Sequence, residues 1–546
     1  MGYLLHILLA LFFLGLSDQV EGPGAPWPWG LLLLALVPYA VGALVRRLSM
    51  RGKFKSADLG LAFLHASAPF LFLAALFVFG WLDSVQAWTG RRPSLMDWPA
   101  PGLLLAFAPF VALCLLTIDV RARLCAPSSQ VASARRLQAR LFLSALAPIG
   151  LYVIVAWLVG LNRPLRVHIE EVRVWGALFA VLLIGVFVRC LPWILRHTWD
   201  TTPLPRGPER ELFEAVAAGA RFRCRDLILW RTGRQMANAA IVGLFPGSRL
   251  VLLSDALLLR LGPRELAAVL AHEIGHAKRR HVQAFGAWAI AFMLGADLCF
   301  ERLPEGQDLA AGALLAAMIG VWVLVFGWLS RRFELDADLY SVDLLGESAG
   351  MIRALEEVGG LHSRNRGSWR HFSTARRVDF LRAADTRPEL GRRLRARLRL
   401  WTRVGFALMC IAVALETAGL FDSWGVDCVR ANLRLGRYEL AAEQLARVEE
   451  PGADLERLVR RALSLSGPDD VQAIASAARE ALLSGAGEDA ADWLALGALR
   501  DSAELTEVEG AFHTGLDEDS RAAALRRLEH SAPDWVAPLT AYWSHQ

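Results

Sequence analysis

Apolar residues in this chain fall into long unbroken runs rather than the short alternating or heptad-spaced stretches of a soluble domain. After a leading run of about fourteen residues, Tyr3 to Leu16, come Trp29 to Val45, Leu59 to Leu82, Pro101 to Ile118, Leu141 to Leu161 and Trp175 to Leu195. Two more, Ala284 to Phe300 and Leu309 to Leu329, follow a polar interval, and Val404 to Leu420 is the last. About 20 apolar residues cross a bilayer as a helix, so the pattern predicts a multi-pass membrane protein. Several runs end in tryptophan, which favours the interface. The first run is short and has no basic residue before it, so it reads as an uncleaved, tilted span rather than a signal-peptide core.

The loops orient the runs. Arg46, Arg47, Arg51, Lys53 and Lys55 follow the second run, and Arg121, Arg123, Arg135 and Arg136 follow the fourth, so both loops are expected in the cytoplasm. Asp18 and Glu21 mark the first loop as external. Glu301, Glu305 and Asp308 do the same for the connection between the two late runs. Strict alternation then places the polar interval 196–282 in the cytoplasm and everything beyond the last run outside. The resulting division is an N-terminal transmembrane region 1–195, an insertion 196–282, a transmembrane hairpin 283–330, a basic cytosolic segment 331–400, a last span 401–421 and a tail domain 422–546.

Within the insertion, Pro208 to Ala220 has helical spacing. Cys224 to Trp230, Asn238 to Gly243 and Arg249 to Leu253 read as strands, with Ser254 capping a short helix after the third. The tail reads as amphipathic helices at Val426–Leu435, Glu439–Val448, Asp454–Leu465, Asp470–Leu483 and Ala490–Leu499. Arg434 to Tyr438 followed by Ala441-Ala442, and Trp493 to Gly497, echo tetratricopeptide turns. Their glycines stand about 61 residues apart, off that repeat's period of about 34.

Composition sharpens this picture. Hydrophobic residues make up 55% of the 546, and the mean hydropathy is +0.36. The formal charge of +5 conceals a split, because the tail from Asp422 holds 23 acidic and 12 basic residues. Seven scattered cysteines fit neither a disulfide framework nor a thiolate metal site. Three lysines against 56 arginines suggest a GC-rich bacterial genome, and so an inner-membrane location. No glycine-rich phosphate loop is present and the basic loops serve as topology signals, so neither nucleotide nor nucleic acid is an expected partner.

Chemistry concentrates in Ala271-His272-Glu273-Ile274-Gly275-His276-Ala277. Residues four apart share a helix face, so His272 and His276 can both address one ion, with Glu273 placed as general base for a water. Gly262-Pro263-Arg264-Glu265 supplies a helix start, and Leu266, Val269, Leu270 and Ile274 supply an apolar stripe. A five-residue match of this kind also arises by chance. A second segment, Arg331 to Asp338, adds what the site lacks: Glu334 as third ligand, and Asp338, four further on, to accept the spare N–H of a ligand histidine. The 58 positions between His276 and Glu334 form a hairpin through the membrane that returns Glu334 to the histidines. His281, five past His276, falls off the ligand face by helical count and reads as structural.

Taken in order, Asn238 to Gly243, Leu250 to Asp255, Glu265 to His276 and Arg331 to Asp338 resemble the core of the M48 metallopeptidases, a family that includes CAAX prenyl proteases and heat-shock membrane proteases. The resemblance implies one zinc ion held by His272, His276 and Glu334, with Glu273 as base and Asp338 in support. It also implies a substrate-binding strand at Asn238, Ala239, Ala240, Ile241, Val242 and Gly243, where an extended peptide adds to the sheet edge. Family members carry Thr-His-Pro near the site. Here Thr386-Arg387-Pro388 puts Arg387 in place of the histidine, leaving Arg387 and His371 as accessory candidates beside a basic-surface reading of both.

The expected fold is mainly α: a polytopic membrane helical bundle with a small α+β zincin-type insertion and a C-terminal α-helical, tetratricopeptide-like domain. The expected activity is zinc-dependent hydrolysis of peptide bonds in membrane-associated proteins for quality control, with the lipid bilayer and a protein partner of the tail as further partners. Two rivals stand beside it: a protease-based sensor gated by the tail, and a non-catalytic scaffold retaining the zinc fold.

Overall fold

The computed structural model describes residues 2–17, 27–89, 101–304, 308–363, 367–465, 471–500, 502–514 and 518–544. The acidic loop residues Asp18, Glu21 and Glu305 lie outside the described residues. Contacts divide the chain into two units, 1–157 with 183–416, and 158–182 with 417–546.

The first unit opens with α1 (Gly2–Ser17), α2 (Gly30–Met50), α3 (Phe54–Phe77), α4 (Trp81–Thr89), α5 (Pro101–Cys125) and α6 (Val131–Gly160). Helix α1, apolar but only 16 residues long, packs against α3 around the fully buried Leu14, Phe72, Phe110 and Phe142. The run Leu59 to Leu82 does not continue as one helix. Left-handed Gly80 (φ +59°) breaks it, and α4 starts afresh at Trp81. After α7 (Arg163–Glu171) comes α8 (Arg173–Thr198). Helices α2, α3, α5, α6 and α8 each hold an internal proline, at 38, 69, 109, 148 and 192. Neighbouring helices and local adjustment make such prolines tolerable in a membrane.

Next come β1 (Thr201–Pro203), α9 (Pro208–Gly219), β2 (Asp226–Trp230), β3 (Ala239–Val242), β4 (Leu250–Ser254) and α10 (Asp255–Arg260), the last capped by the Ser254 side chain. The strands form one sheet in the order β1-β2-β4-β3, with β2 and β4 parallel and the outer pairs antiparallel. Both faces are covered, and so β4 is apolar except for its last residue instead of alternating. Leu227, Val251 and Leu253 face a core shared with Leu266, Leu270 and Ile274. Ile228, Trp230, Leu250 and Leu252 face Leu137 on α6.

The unit continues with α11 (Pro263–Lys278), α12 (His281–Phe300), α13 (Asp308–Leu345), α14 (Ala349–Ser363) and α15 (Thr374–Thr386), then enters α16 (Pro388–Arg434). Helix α13 runs unbroken through 38 residues, so the second limb of the hairpin carries Glu334 without a joint. Among the described residues, eight helices are long and apolar enough to cross a membrane: α2, α3, α5, α6 with the short turn before it, α8, α12, α13 and α16. The chain is a mainly helical, multi-pass membrane protein.

The second unit gathers α7, the end of α16, and α17 (Tyr438–Leu445), α18 (Ala453–Leu463), α19 (Val471–Leu483), α20 (Gly487–Leu499), α21 (Ala503–Thr514), α22 (Glu518–Ser531) and α23 (Val536–Ser544). Its core is centred on the fully buried Trp535, and α23 packs back on α19. Arg434 bridges Glu170 and Glu171 at 2.6 Å each, tying α7 to the end of α16.

Candidate metal centre

Helix α11 forms where its sequence directs. Pro263 occupies the first turn, and Glu265 lies near the positive end of the helix, where Arg353 holds it at 2.7 Å. One face buries Leu266, Leu270 and Ile274 against the sheet. The other meets α13 at Gly275, where a Cβ would stand 3.0 Å from Tyr340 Cβ. The missing side chain lets the two helices close together, and Ser341 donates to the Ala268 carbonyl (2.8 Å) just beside the contact. This approach sets Glu334 opposite the two histidines.

His272 Nε2 and His276 Nε2 lie 3.2 Å apart, and Glu334 reaches them at 3.9 and 3.8 Å. Three ligand atoms each about 2.1 Å from one tetrahedral ion are about 3.4 Å from one another, so this donor set fits a single zinc. Among the described residues these three form the one group of His, Cys, Asp or Glu side chains close enough to share an ion.

Buried carboxylates back both histidines. Asp338, fully buried, lies 2.9 Å from His272 Nδ1. His281 lies 3.0 Å from His276 through their Nδ1 atoms, stacks on Phe333 and reaches Asp336 Oδ2 with Nε2 at 3.1 Å. His276 therefore has a histidine–carboxylate pair behind it where His272 has a carboxylate alone. The helical count that set His281 aside fails for a local reason: left-handed Arg280 (φ +57°) ends α11 and restarts the chain as α12, turning His281 back toward His276.

Arg377, on α15, escaped the sequence reading. It grips Asp338 with two hydrogen bonds, Nε at 2.9 Å and a terminal nitrogen at 2.6 Å, and its other terminal nitrogen is 3.2 Å from Glu334. His371, just before that helix, lies 3.5 Å from Glu334 and is half exposed at the cleft. Arg387 does not join them. It caps the far end of α15 and is exposed, ten residues and about 15 Å of helix beyond Arg377. The signal was the His371-x5-Arg377 spacing across the Ser373 helix cap, not Thr386-Arg387-Pro388.

The electrostatics follow from burial. Desolvation pushes Glu273 up to about 7, only partly countered by His272. Burial and then the His272 charge press His276 down to about 3, keeping it neutral and able to ligate. Burial also disfavours charge on His272, but Asp338 outweighs it and raises the pKa. Burial opposes the Arg377 charge, yet Asp338 and Glu334 overcome it and hold the guanidinium ionised.

A cleft of about 430 Å³ opens over these groups, lined by Glu273, Asn238 and Ala239 among others. Strand β3 pairs with β4 alone, which makes it the sheet edge, and it ends at Gly243 (φ +105°), where a Cβ would meet Ser248 O at 2.9 Å.

The model of peptidase family M48 matches residues 210–400, the segment holding every side chain just described. The chain is 29% identical over 248 residues to a CAAX prenyl protease 1 homolog of Oryza sativa subsp. japonica, which is 40% of this chain and 57% of that protein. It is 30% identical over 141 residues to a protease HtpX homolog 2 of Methanosarcina acetivorans, covering 24% and 48%. With a protease HtpX homolog of Aeropyrum pernix it shares 28% over 240 residues, covering 41% and 75%. The chain thus spans about half the length of the first two of these curated relatives. Among solved structures, S. mikatae Ste24p is similar over 66% of this chain and 99% of its own, at 16% identity and a TM-score of 0.37.

Proposed function

We propose that the chain is an integral membrane zinc endopeptidase that cleaves membrane-associated proteins. The observation that carries this reading is Glu334 standing within 3.9 Å of both histidines although it lies 58 positions beyond His276. His272, His276 and Glu334 would hold one zinc ion, which when bound supplies a Lewis acid and acidifies water.

The chain's own residues supply the rest of the mechanism. A peptide laid in extended form along β3 adds to the sheet through backbone hydrogen bonds, a mode indifferent to most side chains. Glu273, partly buried beside the histidines with one edge on the cleft, takes a proton from the attacking water and returns it to the leaving amide nitrogen as the C–N bond breaks. Asp338 with Arg377, and Asp336 with His281, hold the two imidazoles in orientation. His371, 3.5 Å from Glu334 at the mouth of the cleft, can offer a ring N–H to a developing oxyanion.

The cleft is formed by segments adjoining α12, α13 and α16, which favours substrates at the membrane surface and a role in membrane-protein quality control. The basic loops favour a cytoplasmic cleft and an extracytoplasmic tail. The tail's separate core supports a second reading, a tetratricopeptide-like module that receives a partner and gates cleavage. Glu273→Gln tests the main reading: the variant should retain its zinc and lose cleavage, whereas normal proteolysis by it would remove the base. Deleting 422–546 tests the second, and unchanged turnover of every substrate would count against gating.

A further inference from the structure

Behind the sheet from the metal centre lies a second cavity, of about 260 Å³, between the polar end of α6 and the strands. Its chemistry differs from that of the cleft. Arg136 and Arg140 project from α6 and Arg231 from the loop after β2. Asp200 pairs with Arg140 at 3.2 Å. The other acid of the wall, Asp255, is consumed internally, accepting from the backbone of Thr232, Arg234 and Ala256 and from the Thr232 hydroxyl. Arg136 and Arg231, both exposed, have no ion-pair partner among the described residues, so the lining of the cavity includes two arginines without a paired carboxylate.

Its other wall is aromatic. Trp199, at the end of α8, stacks on Trp230 of β2 at 4.3 Å and 20°, and donates to Ser144 of α6 at 3.0 Å. Leu137 and Leu141 continue this wall into the apolar half of α6. Both α6 and α8 are long and apolar enough to cross a membrane, and the cavity sits where their apolar stretches give way to arginines and tryptophans, the composition of a bilayer edge. Gly233 (φ +66°) lets the loop close over it, its absent Cβ being 3.3 Å from Ser133 Cβ.

We propose that this cavity binds the phosphodiester headgroup of an anionic phospholipid, with Arg136 and Arg231 on the phosphate and the stacked tryptophans against the glycerol and first methylenes. Basic pockets between membrane helices recognise lipid headgroups in this way. The site rests on the membrane placement of α6 and α8 and not on the peptidase reading. It bears on the cleft, since Trp230 lies on β2 and the sheet continues through β4 to the β3 edge. An occupied headgroup site braces that sheet against the bilayer.

The test uses the full-length chain in vesicles of equal phosphatidylglycerol and phosphatidylcholine, extracted gently and analysed by native mass spectrometry for retained lipid. The choline cation disfavours the second lipid. At about fivefold per interfacial arginine, the wild type should retain phosphatidylglycerol with a preference of at least roughly tenfold. The exposed pair R136A/R231A should lose that preference and R136K/R231K should keep most of it. R46A/R51A, which removes the same charge from another basic loop, should leave it intact. No preference in the wild type, an unchanged preference in R136A/R231A, or an equal loss in R46A/R51A would overturn the site. Displacement of the lipid by millimolar inorganic phosphate would reassign it to the free anion and overturn the lipid reading.

Discussion

Burial of the candidate base has a thermodynamic signature that is independent of turnover. Glu273 is held at about 7 in the folded metal-free protein against 4.5 for an ordinary glutamate. Each pH unit of displacement is worth about 1.4 kcal/mol, so keeping this carboxylate ionised at pH 8 costs up to about 3 kcal/mol. One edge of the side chain opens on the cleft, which makes that figure a ceiling. The sign follows from linkage. A carboxyl whose folded pKa is raised binds its proton more tightly in the folded state, so its contribution is fully favourable below about 4.5, declines as pH rises toward about 7, and is level above that. Glu273→Gln removes the titration. In chelator-treated protein in detergent, thermal loss of helical circular dichroism should come several degrees higher for the variant than for wild type at pH 8. The two should converge near pH 4.5, and zinc should shrink the gap by compensating the charge. Identical curves for both proteins from pH 5 to pH 8 would mean that Glu273 is solvated like a surface glutamate, and the argument for a tuned base would fail.

Other parts of the site give further expectations. Arg377→Met strands buried Asp338 and leaves Glu334 without its guanidinium, which should cost about 3–5 kcal/mol in denaturant unfolding of the metal-free protein; a change under 1 kcal/mol would contradict the clamp. His281→Phe keeps the ring stacked on Phe333 but removes the support for His276, so chelator competition should show zinc held about tenfold more weakly with the fold intact. Gly275→Val places a Cβ 3.0 Å from Tyr340 and should force α11 and α13 apart, lowering zinc occupancy together with thermal stability; full occupancy would show that the close approach is dispensable.

What the sequence revealed depended on how local each signal is. The membrane helices were legible because a bilayer imposes a length and an apolarity that few other environments select. His272, Glu273 and His276 were legible because helical spacing alone brings them together, and Glu334 because a hairpin of two spans has only one side to which it can return. The misses are places where a backbone event or a distant helix intervenes. Arg280 in the left-handed region cancels the helical count that placed His281 away from the site. Arg377 is brought in by α15, whose packing no periodicity announces, and a threonine–proline pair ten residues on drew attention to Arg387 instead. Strand β1 spans only Thr201–Pro203, too short to show alternation, and takes its register from β2. The segment 158–182, bounded by apolar runs, reads as part of the first bundle, whereas its contacts group it with the tail through Arg434, Glu170 and Glu171.

The central claim is that a carboxylate carried back by α13 completes an ion site begun on α11. Elemental analysis of full-length protein purified without added metal, beside Glu334→Ala prepared in the same way, tests it most directly. About one zinc per chain in the wild type, with most of it lost from the variant, is the expected result. A wild type free of zinc after reconstitution, or a variant that keeps one ion per chain with unaltered affinity, would contradict it.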